Sequence, residues 1–240
     1  MSAPAMLAEM IAPPTWTGPI GPVRLEAIEV PLAACAAEIA AVGPGRHWRS
    51  LTMYQPGGDV WAAPWSAIAL RGYSENPRNV HSPTTWKFAY AQMGAQVEMP
   101  RQSPRDLCLT TVAPAFPACL AVADAIPGES ERIRINRLGP GGILPKHRDP
   151  LHEPRWEDRT LVRFHVPIVV PAGCVFFAWD RHGQSHQVCD PSGSVWFIDT
   201  DAPHMAVNAS TESRYHLVVD KFLDDELRRC LEARPGEEAY

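Results

Sequence analysis

Apolar residues at Leu25, Ile28, Leu32, Cys35 and Ile39 recur at three- and four-residue steps. That spacing turns one face of a helix toward a core and predicts a helix over residues 25–42. Gly43, Pro44 and Gly45 stop it, since Gly and Pro both punctuate helices. Residues 1–22, rich in Ala and Pro, read as an irregular arm. Residues 47–104 mix strand and loop patterns and carry the aromatics Tyr54, Trp61, Trp65, Trp86 and Tyr90. A short helix over 117–126 opens on Pro117 and ends before Pro127 and Gly128, the asymmetry expected of helix ends.

After that helix the period changes. Short β-type runs at 133–138, 161–170, 174–179, 194–198, 204–208 and 215–219 are separated by Gly, Pro, Asp and Ser. Many short strands with frequent turns predict a sandwich or barrel rather than alternating βαβ units. Leu227, Cys230 and Leu231 then mark one face of a closing helix over 224–233. The expected fold class is mainly β within an α+β chain: a jelly-roll core with supporting helices.

Composition narrows the setting. With 240 residues, 45% apolar and 20% charged, the chain has the length and apolar content for one buried core. We expect a single domain over 1–240: the arm (1–22), an N-terminal support and substrate-contact region (23–130), a catalytic β-core (131–222), and a C-terminal helix and tail (223–240). A net charge of −5 without a Lys/Arg run speaks against a nucleic-acid surface. Six scattered cysteines, none in a C-x-x-C pair, speak against structural zinc and a disulfide scaffold. No signal-peptide pattern and no run of about 20 apolar residues appears, so no membrane partner and a cytoplasmic location are expected.

The chemistry begins at His147 and Asp149, which follow the turn-forming Gly139, Pro140, Gly141 and Gly142. Two residues apart on an extended segment, they share one face. An imidazole and a carboxylate suit a borderline divalent metal, and a second histidine would complete the set that leaves positions open on Fe(II). His204, opening the run 204–208 after a polar turn, is the candidate third ligand. Arg214 lies ten residues further on. If the runs holding His204 and Arg214 pair as antiparallel neighbours, its guanidinium reaches the same cavity and can clamp a carboxylate bidentately. On Arg163 and His165, two apart on one strand, the parity rule is strict: both line the cavity or neither does. His152, His182 and His186 read as loop residues. His216 shares Arg214's face, and His47 and His81 fall in the N-terminal half.

Taken in order, these residues resemble the aspartyl/asparaginyl β-hydroxylase family, which includes bacterial free-amino-acid hydroxylases such as the proline cis-hydroxylases. The matching positions run from Leu138, Pro140 and Gly141 through His147 and Asp149 to Arg163, His165 and Pro167. Gly173 and Trp179 follow, then Phe197, Asp199, His204, Val207, Asn208, Arg214 and Asp220. The resemblance implies a double-stranded β-helix, Fe(II), 2-oxoglutarate and O2. It implies His147, Asp149 and His204 as metal ligands, although the animal enzymes of the family lack the carboxylate. It further implies Arg214 on the distal carboxylate of 2-oxoglutarate, and Arg163 and His165 at the cosubstrate's metal-proximal end. Asn136 stands where some members hold the cosubstrate with a serine. The expected reaction is hydroxylation of an unactivated carbon of an amino acid or amino-acid residue, with release of succinate and CO2. A free small molecule is favoured over a peptide as substrate. Two alternatives stay open: a cupin-like metalloenzyme without 2-oxoglutarate, and a non-enzymatic sensor of small acids.

Overall fold

Polar and apolar residues alternate at 132–136 (Arg, Ile, Arg, Ile, Asn) and at 162–165 (Val, Arg, Phe, His), which gives these strands two chemically different faces. The structure is a computed structural model that describes residues 21–43, 45–51, 53–54, 60–61, 64–80, 106–149, 160–188 and 193–232, with backbone alone at 53–54 and 60–61. In chain order its described strands are β1 (Val23–Leu25), β2 (Arg49–Ser50), β3 (Met53–Tyr54), β4 (Val60–Trp61), β5 (Trp65–Gly72), β6 (Cys108–Leu109) and β7 (Ser130–Leu138). There follow β8 (Ile143–His147), β9 (Leu161–Val169), β10 (Cys174–Trp179), β11 (Ser185–Gln187), β12 (Val195–Ile198), β13 (His204–Asn208) and β14 (Arg214–Phe222). The helices are α1 (Leu32–Val42), α2 (Pro117–Ala125) and α3 (Asp225–Glu232).

One antiparallel sheet runs β1-β12-β9-β14-β7-β5-β2, with β6 also paired to β5; the other runs β11-β10-β13-β8. From β7 onward the chain alternates between them: β7 large, β8 small, β9 large, β10 and β11 small, β12 large, β13 small, β14 large. This is the double-stranded β-helix, or jelly roll, that the sequence led us to expect. A small apolar cluster between the sheets unites Leu138 and Ile198 of the large sheet with Phe176, Ala178 and Ala206 of the small one.

The outer face of the large sheet carries the main core. Ile133, Ile135, Val162, Phe164, Val166, Leu217 and Val219 pack there with Cys35 and Ile39 of α1, Cys119 and Val122 of α2, and Leu227 and Leu231 of α3. Asp224 caps α3, its Oδ1 accepting from the Leu227 N–H at 2.8 Å.

Two expectations need correction. The helical spacing from Leu25 does not produce a helix before Leu32. Val23–Leu25 is instead an edge strand, with Leu25 opposite Val195 on β12. Pro31 is the physical reason, because a proline disfavours helical backbone in the residue before it. Nor do the runs holding His204 and Arg214 pair. β13 lies between β10 and β8 in the small sheet, whereas β14 lies between β9 and β7 in the large one. Trp86, Tyr90, His81 and His152 lie outside the described residues.

Candidate metal centre

The turn before β8 is built as its residues dictate. Gly142 N–H donates to Gly139 O at 3.0 Å, with Pro140 at the second position and Gly141 at the third with φ +67°, the backbone of a type II turn. A Cβ on Gly142 would stand 2.6 Å from Leu138 Cδ1 and 2.8 Å from Gly139 O, so only glycine fits. Asn208 secures the same turn: its amide donates to Leu138 O (2.9 Å), Gly139 O (3.1 Å) and Glu212 O (2.7 Å). The ends of β7 and β13 are thereby tied to the approach to Arg214.

His147 is the last residue of β8 and stands opposite His204, the first of β13. Asp149 lies beyond the strand end, held by its N–H to Thr200 O at 2.8 Å and by the Thr200 hydroxyl to its own carbonyl at 3.1 Å. One ligand atom from each of His147, Asp149 and His204 falls within 4.8 Å of the other two. His147 Nδ1 bonds Pro145 O at 2.6 Å and His204 Nδ1 bonds Ala202 O at 3.2 Å. A carbonyl only accepts, so both Nδ1 atoms carry a proton, and Nε2 is the ring atom each histidine has left to offer a metal. Burial, and then the neighbouring His147, lowers His204 to about 4, so the ring is neutral at pH 7. Burial alone would raise Asp149. The Arg163 guanidinium first, then the neighbouring His204, His147 and Arg134, outweighs it and holds the carboxyl below the usual range. Two imidazoles and one carboxylate are a donor set that fits a divalent first-row metal.

Across from this cluster, the inner face of the large sheet presents a second polar group. Arg214 is buried, donates from one terminal nitrogen to His216 Nδ1 at 2.9 Å, and lies 5.3 Å from the Phe176 ring centre. The Phe176 ring lies between His204 and His216, with ring centres 6.1 and 6.2 Å away. His165 also points between the sheets, 5.1 Å from Phe176. Both ring nitrogens of His165, Nε2 of His216 and Oδ1 of Asn136 are buried without a hydrogen-bond partner. Burial first, then Arg163 for His165 and Arg214 for His216, pushes both imidazoles well below their ordinary value.

Arg163 shares this inner face with His165, as strand parity requires, but it is engaged elsewhere. Its Nε and one terminal nitrogen grip Asp220 (2.6 and 3.2 Å), and the other terminal nitrogen reaches Asp149 Oδ2 at 2.5 Å. Asp220 also takes Arg132 at 2.6 Å, and Arg134 stands 3.8 Å off. Sequence reading did not single out Arg132, Arg134, Phe176 or a role for Asp220. A signal was there: 132, 134 and 136 are polar between Ile133 and Ile135, and 214, 216 and 220 share one parity on β14. His186, read as a loop residue, lies on β11 and bonds Asp180 at 3.0 Å. His182 is exposed, as a loop residue would be.

No curated protein matches the chain by sequence. Among solved structures it is similar to an oxidoreductase of the 2OG-Fe(II) oxygenase family from Burkholderia pseudomallei: 15% identity over 84% of this chain and 85% of that one, TM-score 0.46. It is also similar to a prolyl-4-hydroxylase from Pseudomonas putida (16% identity, 86% and 92% coverage, TM-score 0.41). A third is SnoN, a non-heme alpha-ketoglutarate-dependent epimerase from nogalamycin biosynthesis (13% identity, 91% and 84% coverage, TM-score 0.48). Among the described residues, no helix is long and apolar enough to cross a membrane. The sequence profile named Aspartyl/Asparaginyl beta-hydroxylase matches residues 33–222, from α1 to the end of β14. The chain therefore belongs to the aspartyl/asparaginyl β-hydroxylase family, a family of oxygenase-type hydroxylases.

Proposed function

We propose that this protein is an Fe(II)- and 2-oxoglutarate-dependent dioxygenase that hydroxylates an unactivated carbon of an amino acid or a derivative, releasing succinate and CO2. One observation carries the reading: two imidazoles whose Nδ1 atoms are engaged by backbone carbonyls and one carboxylate bring ligand atoms within 4.8 Å of one another. His147, Asp149 and His204 would hold the iron. Bound iron and 2-oxoglutarate supply the oxidising chemistry that such a reaction needs.

The chain's own residues supply position and exclusion of water. Arg214, buried on the opposite sheet, offers a planar fork to the distal carboxylate of 2-oxoglutarate. The unpartnered atoms of His165, His216 and Asn136 fit a polar cosubstrate, because buried polar groups are normally satisfied. Phe176, Leu138 and Ile198 form the apolar wall that keeps water from the site. The two strand-borne histidines, at the ends of β8 and β13, keep this geometry rigid. As substrate we favour a free small molecule.

The test is anaerobic loading with Fe(II), then 2-oxoglutarate and O2 with a panel of free and peptidic amino acids, following succinate by mass spectrometry. We expect at least one amino acid to raise succinate above the uncoupled background. His147→Ala and Asp149→Ala should return it to that background. Unchanged turnover in both variants would remove the metal assignment.

A further inference from the structure

We propose that Asp220 is a positioning residue for the metal site: it occupies the fork of Arg163 so that Arg163 takes one oxygen of Asp149 and leaves the other for the ion. This rests on the metal reading above. Asp220 is buried on β14, directly opposite Arg163 on β9 and Arg132 on β7. Arg163 spends two of its three nitrogens on Asp220, Nε at 2.6 Å to Oδ1 and a terminal nitrogen at 3.2 Å to Oδ2. Only the remaining terminal nitrogen reaches across the gap between the sheets to Asp149 Oδ2. The other oxygen of Asp149, Oδ1, lies 4.0 Å from His147 Nε2.

The division of labour follows from guanidinium geometry. An arginine and a carboxylate prefer two parallel hydrogen bonds, which use both carboxylate oxygens. An Arg163 free to turn its fork on Asp149 would cover Oδ1 as well and compete with the metal. Asp220 prevents this by taking the fork first. Arg132 fixes Asp220 in turn at 2.6 Å, and Arg132 is itself held by Glu131, to which the Tyr73 hydroxyl donates at 2.7 Å. The chain of contacts from Tyr73 to Asp149 is a support that orients a ligand and tunes it for the ion. It also gives Arg163 a task at the metal carboxylate, where the family resemblance had implied the cosubstrate.

The experiment measures anaerobic Co(II) and Fe(II) binding by calorimetry, with the Co(II) visible spectrum as a report on coordination, in the full chain. D220N and R163K should each weaken metal affinity by roughly 10- to 100-fold and alter the Co(II) spectrum. The affinity for 2-oxoglutarate at saturating metal should stay near the unaltered value. E131Q, two contacts further from Asp149 along the same support, should lower the melting temperature and weaken metal affinity less than D220N or R163K does. Unchanged metal affinity in a folded D220N or R163K overturns the proposal, and so does a loss that falls on 2-oxoglutarate instead. Should neither variant fold, a crystal structure of the Co(II)-loaded wild type decides: Oδ2 still on Arg163 supports the assignment, and both oxygens on the ion overturn it. Wild-type protein that binds neither metal would instead remove the metal reading itself.

Discussion

The two faces of the large sheet are made by the same strands and share almost nothing chemically. On β9, Val162, Phe164 and Val166 point outward into the helices, while Arg163 and His165 point inward. On β14, Leu217 and Val219 alternate with His216 and Asp220 in the same way. The outer face gains stability from burying apolar surface against α1, α2 and α3. The inner face buries guanidinium, imidazole and carboxylate groups, which is costly unless each is paired or finds a ligand. Stability and proposed chemistry thus interleave at a period of two, and a one-residue slip would exchange them.

If the faces are separable, altering one should leave the other's property intact. Phe164 is fully buried and packs edge-on against Phe197 with ring centres 6.0 Å apart. Phe164→Ala should cost about 3–5 kcal/mol in urea unfolding, the largest effect we expect. Metal affinity of the fraction still folded should persist; a parallel loss would break the comparison. On the inner face, Arg214→Ala should weaken 2-oxoglutarate binding by about 10²-fold, within the range for losing one partner of a buried charge pair, and spare metal affinity. Calorimetry at saturating metal checks this, and equal affinities would take Arg214 out of the cosubstrate site.

A further effect concerns pH. Burial lowers His165 and His216 well below 6.5 in the folded chain. The unfolded chain therefore binds protons that the folded one refuses once the pH falls below about 6.5. Stability is full above that value and declines below it, by up to about 1.4 kcal/mol per pH unit for each group. Urea midpoints at pH 7.5 and 5.5 should differ accordingly; identical midpoints would mean these imidazoles are not the neutral, buried groups of the inner face.

Much of this was legible in the chain itself. The runs at 174–179 and 204–208 match β10 and β13 residue for residue, because Gly173 and Asp180 bound the first and Pro203 opens the second. The clustering of His147, Asp149 and His204 was expected from the order of the motifs, and the pairing of β8 with β13 brings it about. Less legible was the first helix, where the apolar spacing of Leu25 and Ile28 resembled a helical face and Pro31 overruled it.

Sequence alone determined the alternation of faces, the strand-rich core and the residue types at the candidate centre, because side-chain period, turn chemistry and ligand chemistry are local properties. Only the tertiary structure decided which strand stands opposite which. It set β13 and β14 in different sheets, so that His204 and Arg214 stand on opposite sheets, each near Phe176, rather than along a shared edge. It also joined Asp149 to Asp220 through Arg163. Such pairings depend on how distant segments close on one core, and no local spacing in the sequence encodes that closure.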